Sequence, residues 1–337
     1  MSKFSRYLLN KFLWFLVAFA VALLANFLLI RLIPGNPVDA MVARMSSGGS
    51  VSGEAMDRIY LTYMNEFGLD KSMGEQFFIY LGNLAQGDLG ASFRQYPARV
   101  STMIMQALPW TIALQLPAII IGWIVGNWLG VQSAYRKGVL DKVVFPTSLF
   151  MSCMPYYCLS IILLYLGAVV WPIFPGVGGY DFSMNPGWNW AFVRSAGEHY
   201  ILPFLSLVLV FIGGQAVGMR AMSIYELDAD YVRYSRSLGV QDNRIIRYIF
   251  RNGMLPQITG LALSIGGMVS GALITEIVFS YPGLGTLLFT AIGQEDYPVV
   301  QGITLLIMIA VLLANFMVEI AYGFIDPRIR ASEAGER

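Results

Sequence analysis

Long stretches of apolar, almost uncharged residues constrain the fold of this chain most strongly. The first, residues 12–30, is about nineteen residues long, enough to cross roughly 30 Å of hydrocarbon as a helix. Comparable stretches follow at 108–131, 143–170, 201–222, 255–279 and 299–322. The sequence therefore predicts an all-α integral membrane protein with six transmembrane helices.

Composition supports the same class of protein. Hydrophobic residues make up 56% of the chain and charged residues 13%, whereas a soluble protein carries about a quarter charged residues. The first apolar stretch is too long for the core of a cleaved secretory signal and lacks a small-residue cleavage pattern, so we expect an uncleaved span. The net charge of +1 gives no reason to expect nucleic acid as a partner.

Lysine and arginine are distributed asymmetrically among the loops between the predicted spans. Fifteen of the 22 lie in the N-terminus, the loop after the second span, the central loop and the C-terminus. The two short loops on the other side hold Arg194 alone, and the remaining six belong to the long segment before the second span. Short cytoplasmic loops are enriched in these residues, whereas long segments are translocated regardless of charge. We therefore expect both termini in the cytoplasm.

A polar segment of unusual length, residues 226–256, separates the fourth and fifth apolar stretches. Its apolar residues recur at three- and four-residue steps on both sides of Gly239, which predicts two short helices. Gly239 is suited to a left-handed helix end, and Asp242 or Asn243 can begin the second helix. The segment is either an ordinary basic cytoplasmic loop or a docking element for a partner that moves the spans. Its length favours docking.

Catalytic chemistry has no counterpart in the sequence. A phosphate-binding GxxxxGK[ST] motif is absent, and His199 is the only histidine, which leaves no multi-histidine metal site. Glu276 and Glu319 are the exceptional charged residues in the spans, and both fall near span ends. Pro155 should kink the third span, either for packing or beside a translocation path. Uncharged polar residues in the spans should bond between helices or line a path: Asn26, Gln115, Asn127, Gln215 and Asn315.

The central segment resembles the cytoplasmic loop of ATP-binding-cassette (ABC) importer permeases, in the form found in the dipeptide/oligopeptide (DppB/OppB-type) family. That form reads roughly E-x-x-x-DYVR-x-(A/S)-R-x-x-G-(L/V), followed by a basic helix ending R-N-x-x-LP. This chain supplies Glu226, Asp230, Tyr231, Val232, Arg233, Arg236, Gly239, Arg251, Asn252, Leu255 and Pro256. The Glu-Ala-Ala triplet of other importers is replaced by Arg233, Tyr234 and Ser235, a departure that is usual in the peptide branch.

Further motifs in the family's order extend the resemblance over nearly the whole chain. They are RLIPGNP after the first span, GDLG at 87–90, EIVFSYPGLG at 276–285 and DPRIR at 326–330. The resemblance implies the type I ABC importer fold. It divides the chain into a cytoplasmic N-terminus with the first span (1–33), an extracytoplasmic inserted segment (34–104), a five-helix core with a coupling loop (105–326 and 223–256) and a cytoplasmic tail (327–337).

The resemblance also implies which residues contact an ATPase subunit through a short coupling helix. They are Asp230, Tyr231, Val232, Arg233, Arg236, Ser237, Leu238 and Gly239, with Tyr231 and Leu238 as the apolar anchors. The chain itself would hold no catalytic residue, metal or cofactor, since ATP and magnesium would bind to the partner ATPase subunits. Residues of the substrate path are not identified.

By the same resemblance, the chain is a non-catalytic permease subunit in a bacterial or archaeal cell (inner) membrane. Its partners would be a second homologous permease subunit, two ABC ATPase subunits, membrane lipids and an extracytoplasmic solute-binding protein. Residues 34–100 of the inserted segment and the loops near Tyr180 and Pro282 would contact the binding protein. The expected substrates are di- and oligopeptides, with oligosaccharides or nickel complexes as the alternative. An ion-coupled secondary transporter would require buried mid-membrane charges and an internal repeat, and neither is visible. A scaffold would lack the coupling loop.

Overall fold

The computed structural model describes residues 3–32, 60–61, 64, 70–268 and 272–325. The predictions that concern residues 33–59 and the DPRIR tail lie outside these ranges. Within them the chain is helical, apart from turns and one isolated antiparallel bridge between Ala91 and Arg99.

The described helices follow one another in this order: α1 (Lys3–Arg31), α2 (Met73–Ala85), α3 (Val100–Arg136), α4 (Gly138–Cys153), α5 (Tyr156–Leu164, followed by a π-helical turn Tyr165–Val170), α6 (Trp190–Leu227), α7 (Asp230–Ser237), α8 (Asp242–Gly266), α9 (Leu273–Val278), α10 (Leu284–Gly293) and α11 (Tyr297–Ile325).

Helix length and composition confirm a multi-pass, all-helical membrane protein. Among the described residues, α1, α3, α6 and α11 are long and apolar enough to cross a membrane, and the bent pair α4–α5 makes a fifth candidate. The predicted fifth span falls instead on α8 and α9, because α8 ends at its C-cap Gly267 and the next helix begins at Leu273. The structure therefore supports four to five spans by this criterion rather than six.

The predicted third span is broken rather than kinked. Its two halves, α4 and α5, meet at an angle of 100°. Pro155 is the N-cap of α5, and Met154 before it is extended, with ψ 124°. A proline disfavours helical geometry in the preceding residue and cannot donate to the preceding turn, which explains why the helix stops here.

Two helix starts also differ from the sequence prediction. Helix α6 begins at Trp190, eleven residues before the predicted span, because Asn189 caps it by accepting from the backbone N–H of Phe192 at 2.8 Å. Helix α3 begins at Val100, so Pro109 lies inside the helix instead of in its first turn. Both helices are longer than the apolar stretch that revealed them.

One compact unit comprises residues 1–11, 109–286 and 310–337. Within it, α6 packs against α4, α5 and α8. Glycines at four-residue spacing on α3 allow the backbone of α6 to approach closely: a Cβ on Gly122 would lie 2.5 Å from the Cβ of Phe211, and one on Gly126 would lie 2.6 Å from that of Gln215. Asn127 also donates to Gln215 at 3.4 Å, which confirms a hydrogen bond between spans.

The second compact unit comprises residues 12–108 and 287–309. In this unit the fully buried Asn26 donates to the Tyr80 hydroxyl at 3.2 Å and accepts from Thr304 at 2.7 Å. These bonds confirm the prediction that Asn26 links helices. In the GDLG motif, Gly87 and Gly90 have φ +73° and +83°, which explains why glycine occupies both positions.

Candidate coupling site on the central segment

The central segment forms two helices joined by a tight turn, as predicted. Helix α7 ends in a Schellman motif: the N–H of Gly239 donates to Arg236 O at 3.0 Å, and that of Val240 donates to Ser235 O at 3.1 Å. Gly239 has φ +71°, the left-handed conformation that this motif requires. Helix α8 then begins at Asp242 and continues past Pro256 to Gly266. The turn therefore connects directly to the predicted fifth span.

The C-terminal end of α3 contacts both helices of the segment. The Tyr135 hydroxyl donates to the Asp242 carboxylate at 2.6 Å. The guanidinium of Arg236 on α7 lies 5.6 Å from the centre of the Tyr135 ring, within the range of a cation–π interaction. One side chain of α3 is thus in contact with α7 and with α8.

The inner face of the segment is a buried apolar cluster. Val232, Ile245 and Ile249 are almost fully buried, together with Val131 of α3 and Met219 of α6. The predicted contact of Val232 with an ATPase subunit stays a prediction, and the Val232 side chain is completely enclosed within its own chain. Its role is to hold α7 against α8.

Tyr231 combines packing with a polar contact. Its ring packs against the apolar cluster of Val232, and its hydroxyl donates to Glu226 at 2.6 Å. Burial and this hydrogen bond raise the pKa of Tyr231 to about 12, so the phenol is neutral and remains a donor at physiological pH. Tyr231 therefore fastens α7 to the end of α6, and only part of its surface is left for a partner.

The outer face of α7 and its turn is exposed. Six of the predicted coupling residues lie there: Asp230, Arg233, Arg236, Ser237, Leu238 and Gly239. Leu238, the large apolar side chain at the end of this short polar helix, is 63% exposed. Tyr234 is 67% exposed beside it. All six residues are thus exposed, Arg236 also contacts Tyr135, and Tyr234 is exposed among them.

The end of α6 that leads into the segment is fixed to α4 by a charged pair. Arg220 donates to both carboxylate oxygens of Asp141, at 2.7 and 2.8 Å, and its guanidinium lies 4.0 Å from the centre of the Phe145 ring. Ser133 of α3 also donates to Asp141. Three helices therefore meet at one carboxylate just before the segment begins.

The motif EIVFSYPGLG forms a second organised site, around Glu276. This carboxylate is fully buried and accepts from the Thr111 hydroxyl at 2.8 Å and from the N–H of Gly285 at 2.6 Å. Thr111 in turn accepts from the N–H of Leu284 at 2.8 Å. A Cβ on Gly283 would overlap the carboxylate oxygens. The glycines of the motif are needed because the turn wraps closely around Glu276.

The loop between α5 and α6 borders a cavity of about 680 Å³. Its walls carry the aromatic residues Tyr180, Phe182 and Trp190 and the ion pair of Arg194 with Glu198, whose atoms are 2.9 Å apart. In the part of the chain that the structure describes, no three His, Cys, Asp or Glu side chains come together as a metal site.

Comparison with known proteins identifies the chain. Residues 118–331 match the family described as binding-protein-dependent transport system inner membrane component. The chain belongs to this family. The permease is 35% identical over 327 residues to the di/tripeptide transport system permease protein DppB of Pseudomonas aeruginosa, covering 93% of this chain and 94% of the relative.

Two further relatives cover the permease almost completely. The dipeptide transport system permease protein DppB of Escherichia coli is 31% identical over 325 residues, with 91% of this chain and 93% of the relative covered. The glutathione transport system permease protein GsiC of Pectobacterium atrosepticum is 28% identical over 328 residues, covering 96% and 98%. The prediction of a DppB/OppB-type ABC permease is confirmed, and the chain is a non-catalytic membrane subunit.

Sequence reasoning missed three contact residues of the permease: Tyr135, Arg220 and Tyr234. The helical spacing of Tyr231, Tyr234 and Leu238 was a usable signal, because it assigns Tyr234 to the same face as Leu238. No comparable signal exists for Tyr135 or Arg220, since their partners Asp242 and Asp141 are distant in the sequence.

Proposed function

We propose that this permease forms half of the translocation path of an ABC importer for di- and oligopeptides. A second homologous permease forms the other half, two separate ATPase subunits hydrolyse ATP, and an extracytoplasmic binding protein delivers the substrate. Family membership supports the binding protein and the ATPase subunits as partners. The names of three relatives, which refer to di/tripeptides, dipeptides and glutathione, support a peptide substrate.

The proposed topology has six crossings with both termini in the cytoplasm. The crossing added to the five candidates is the predicted fifth span, which consists of the apolar part of α8 together with α9. Each of these two helices alone is too short or too polar to be a candidate membrane span. The distribution of lysine and arginine supports the orientation. The inserted segment 34–104 is then extracytoplasmic, residues 105–326 form the core and residues 327–337 form a cytoplasmic tail.

The outer surface of α7 is the proposed docking site for an ATPase subunit. The observation that carries this proposal is the contrast between its two faces: Val232 is buried on the inner face, whereas Leu238 and Tyr234 are exposed on the outer face. An apolar pair left in solvent beside Arg233 is typical of an interface that a partner completes.

A push on α7 would reach the membrane through its fixed contacts. The buried cluster joins α7 to α8, and α8 runs without a break from Asp242 through Pro256 into the proposed crossing. Tyr135 and Arg220 connect the same region to α3 and α4. ATP and magnesium bind to the ATPase subunits in this scheme, and the cavity beside Tyr180 faces the binding protein.

The test is the substitution Gly239→Asp in the complete transporter. A Cβ at Gly239 would meet no atom within 4 Å, so the new side chain meets only open space within its own chain. We expect the variant to insert and fold, but peptide uptake should fall by at least roughly tenfold, because the carboxylate projects into the proposed interface. Uptake, ATP turnover and the amount of copurified ATPase subunit are measured together.

Gly87→Asp is the matched control, because Gly87 has φ +73° against +71° for Gly239 and equally open space around its Cβ. The backbone strain is then the same at both positions, and only the location differs. Gly87→Asp should keep its ATPase subunits. Normal assembly and normal uptake by Gly239→Asp would contradict the proposal.

A further inference from the structure

Helix α8 presents two opposite faces over its first three turns. Ile245, Ile246 and Ile249 form its buried face, with exposed fractions of 1%, 7% and 0%. Arg244, Arg247 and Arg251 are exposed and recur at three- and four-residue steps, so they lie along one stripe of the helix. We call these three residues the arginine stripe.

Within the described residues, the arginine stripe has no counter-ion. Among the described residues, no hydrogen bond or ion pair involves any of the three guanidinium groups. The nearest acid on the same helix, Asp242, already accepts from Tyr135. Three unpaired guanidinium groups along about 10 Å of helix axis form a strong local attraction for anions.

The same stripe becomes apolar toward the proposed crossing. Ile258, seven residues after Arg251, continues the stripe and is 44% exposed. Tyr248 lies on this face among the arginines and is 43% exposed. Arginines with an aromatic ring among them, followed by exposed aliphatic surface, are typical of a helix that passes from the headgroup region into hydrocarbon.

We propose that the arginine stripe binds the headgroups of anionic phospholipids in the cytoplasmic leaflet. The guanidinium group suits this ligand, because its planar donors can hold a phosphate with two parallel hydrogen bonds. The inference rests on the cytoplasmic orientation in the proposed function. It gives α8 a second anchor at the level of the headgroups, in addition to the buried cluster that joins α8 to α7.

An acidic protein surface is the other occupant that three arginines could attract. The exposed Ile258 on the same stripe favours lipid, because a cytoplasmic protein would leave this aliphatic side chain uncovered. The exposed apolar pair of α7, Tyr234 and Leu238, lies on a separate helix from the stripe. A protein partner on α7 and lipid on α8 are therefore compatible.

The test measures how many phosphatidylglycerol molecules remain bound to the purified, assembled transporter. The complex is reconstituted in nanodiscs of phosphatidylglycerol and phosphatidylcholine, extracted, and analysed by native mass spectrometry. The variant is Arg247→Gln with Arg251→Gln. Each arginine near an anionic surface contributes roughly fivefold to binding, so the pair should lower phosphatidylglycerol retention by about tenfold or more.

Arg233→Gln with Arg236→Gln is the matched control, because it removes the same charge from the neighbouring helix α7. Since both residues lie on the proposed docking surface, phosphatidylglycerol is counted per permease molecule, and this variant should retain it like the wild type whether or not ATPase subunits stay bound. Arg247→Lys with Arg251→Lys should retain most of it, since the charges remain, and this variant separates headgroup binding from misfolding.

Three results would overturn the lipid assignment. In the first, the α8 and α7 glutamine variants retain the same amount of phosphatidylglycerol as the wild type. In the second, both variants lose the same amount of phosphatidylglycerol. In the third, the α8 glutamine variant loses ATPase subunits but keeps its phosphatidylglycerol. Absence of ATPase subunits from the wild-type complex would contradict the proposed function instead, and lipid retention could still be measured on the permease alone.

Discussion

The turn around Glu276 is buried and closely packed, whereas the central segment of the same compact unit leaves side chains exposed. At Glu276, a fully buried carboxylate meets donors from Thr111 and Gly285, and the surrounding backbone leaves no room for a side chain on Gly283. In the central segment, α7 exposes Leu238 at 63%, and a Cβ on Gly239 would meet nothing within 4 Å.

The first site makes its contacts within this chain, whereas the second leaves side chains that only a partner could cover. A buried polar group is costly unless it is hydrogen-bonded, so the Glu276 turn tolerates little change and is complete within this chain. The exposed side chains on the outer face of α7 contribute almost nothing to the stability of the folded chain. Substitutions should therefore lower the stability of the fold at the first site and the binding of ATPase subunits at the second.

The largest expected effect comes from Gly283→Ala. The added methyl group overlaps the carboxylate of Glu276, so the turn or the carboxylate must move and its bonds to Thr111 and Gly285 weaken. We expect a loss of about 3 kcal/mol in unfolding free energy, from overpacking and weakened buried hydrogen bonds. Denaturant unfolding of the purified permease and the yield of monodisperse protein measure it.

Gly260→Ala is the control for this prediction, since a Cβ there would have no neighbour within 4 Å in helix α8. Alanine is favoured over glycine inside a helix, so this variant should gain up to about 1 kcal/mol. If both variants behaved alike, the close contact between Gly283 and Glu276 would not control the stability of the turn.

The next effect divides the predicted coupling residues into two groups. Val232→Ala removes a completely buried side chain and should lower the unfolding free energy by about 2 kcal/mol. Leu238→Ala removes an exposed one and should change it by less than about 0.5 kcal/mol. Copurification should show the reverse order, with ATPase subunits lost from Leu238→Ala. Retention of those subunits by Leu238→Ala would argue against docking on α7.

Local patterns predicted the central segment well, and tertiary contacts explain what they missed. Gly239 as a left-handed helix end follows from a short-range rule and is confirmed. Of the two residues predicted to begin α8, Asp242 is its first helical residue, but Gln241 is the N-cap and makes no side-chain cap bond. The burial of Val232 could not be predicted, because it depends on Val131 and Met219, which are about a hundred and about a dozen residues away in sequence.

The buried site at Glu276 shows the same limit. The sequence indicates a charged residue near a span end and a family motif, but the donor Thr111 lies 165 residues away. The breaks at Pro155 and Gly267 were also underestimated, because hydropathy measures how apolar a stretch is and not whether its helix is continuous. The sequence thus predicted which stretches are apolar, whereas the structure assigned their ends and bends.

The smallest expected effect tests whether the two helices of the segment are held by α3. Tyr135→Phe removes the hydroxyl that donates to Asp242 at 2.6 Å, while keeping the ring beneath Arg236. This contact is exposed, so the unfolding free energy should fall by only about 1 kcal/mol. If the contact also transmits motion, the number of ATP molecules hydrolysed per peptide transported should rise.

A double-mutant cycle with Asp242→Asn isolates this contact from other effects of each substitution. Asp242→Asn alone weakens the same hydrogen bond, so the second substitution should add little, with a coupling energy of about 0.5 to 1.5 kcal/mol. Additive losses would mean that Tyr135 and Asp242 act independently. If ATP consumption per peptide rises by the same amount in both single variants and in the double variant, the transmission of motion depends on this one bond. Without the bond, α3 would no longer hold α8 when α7 moves.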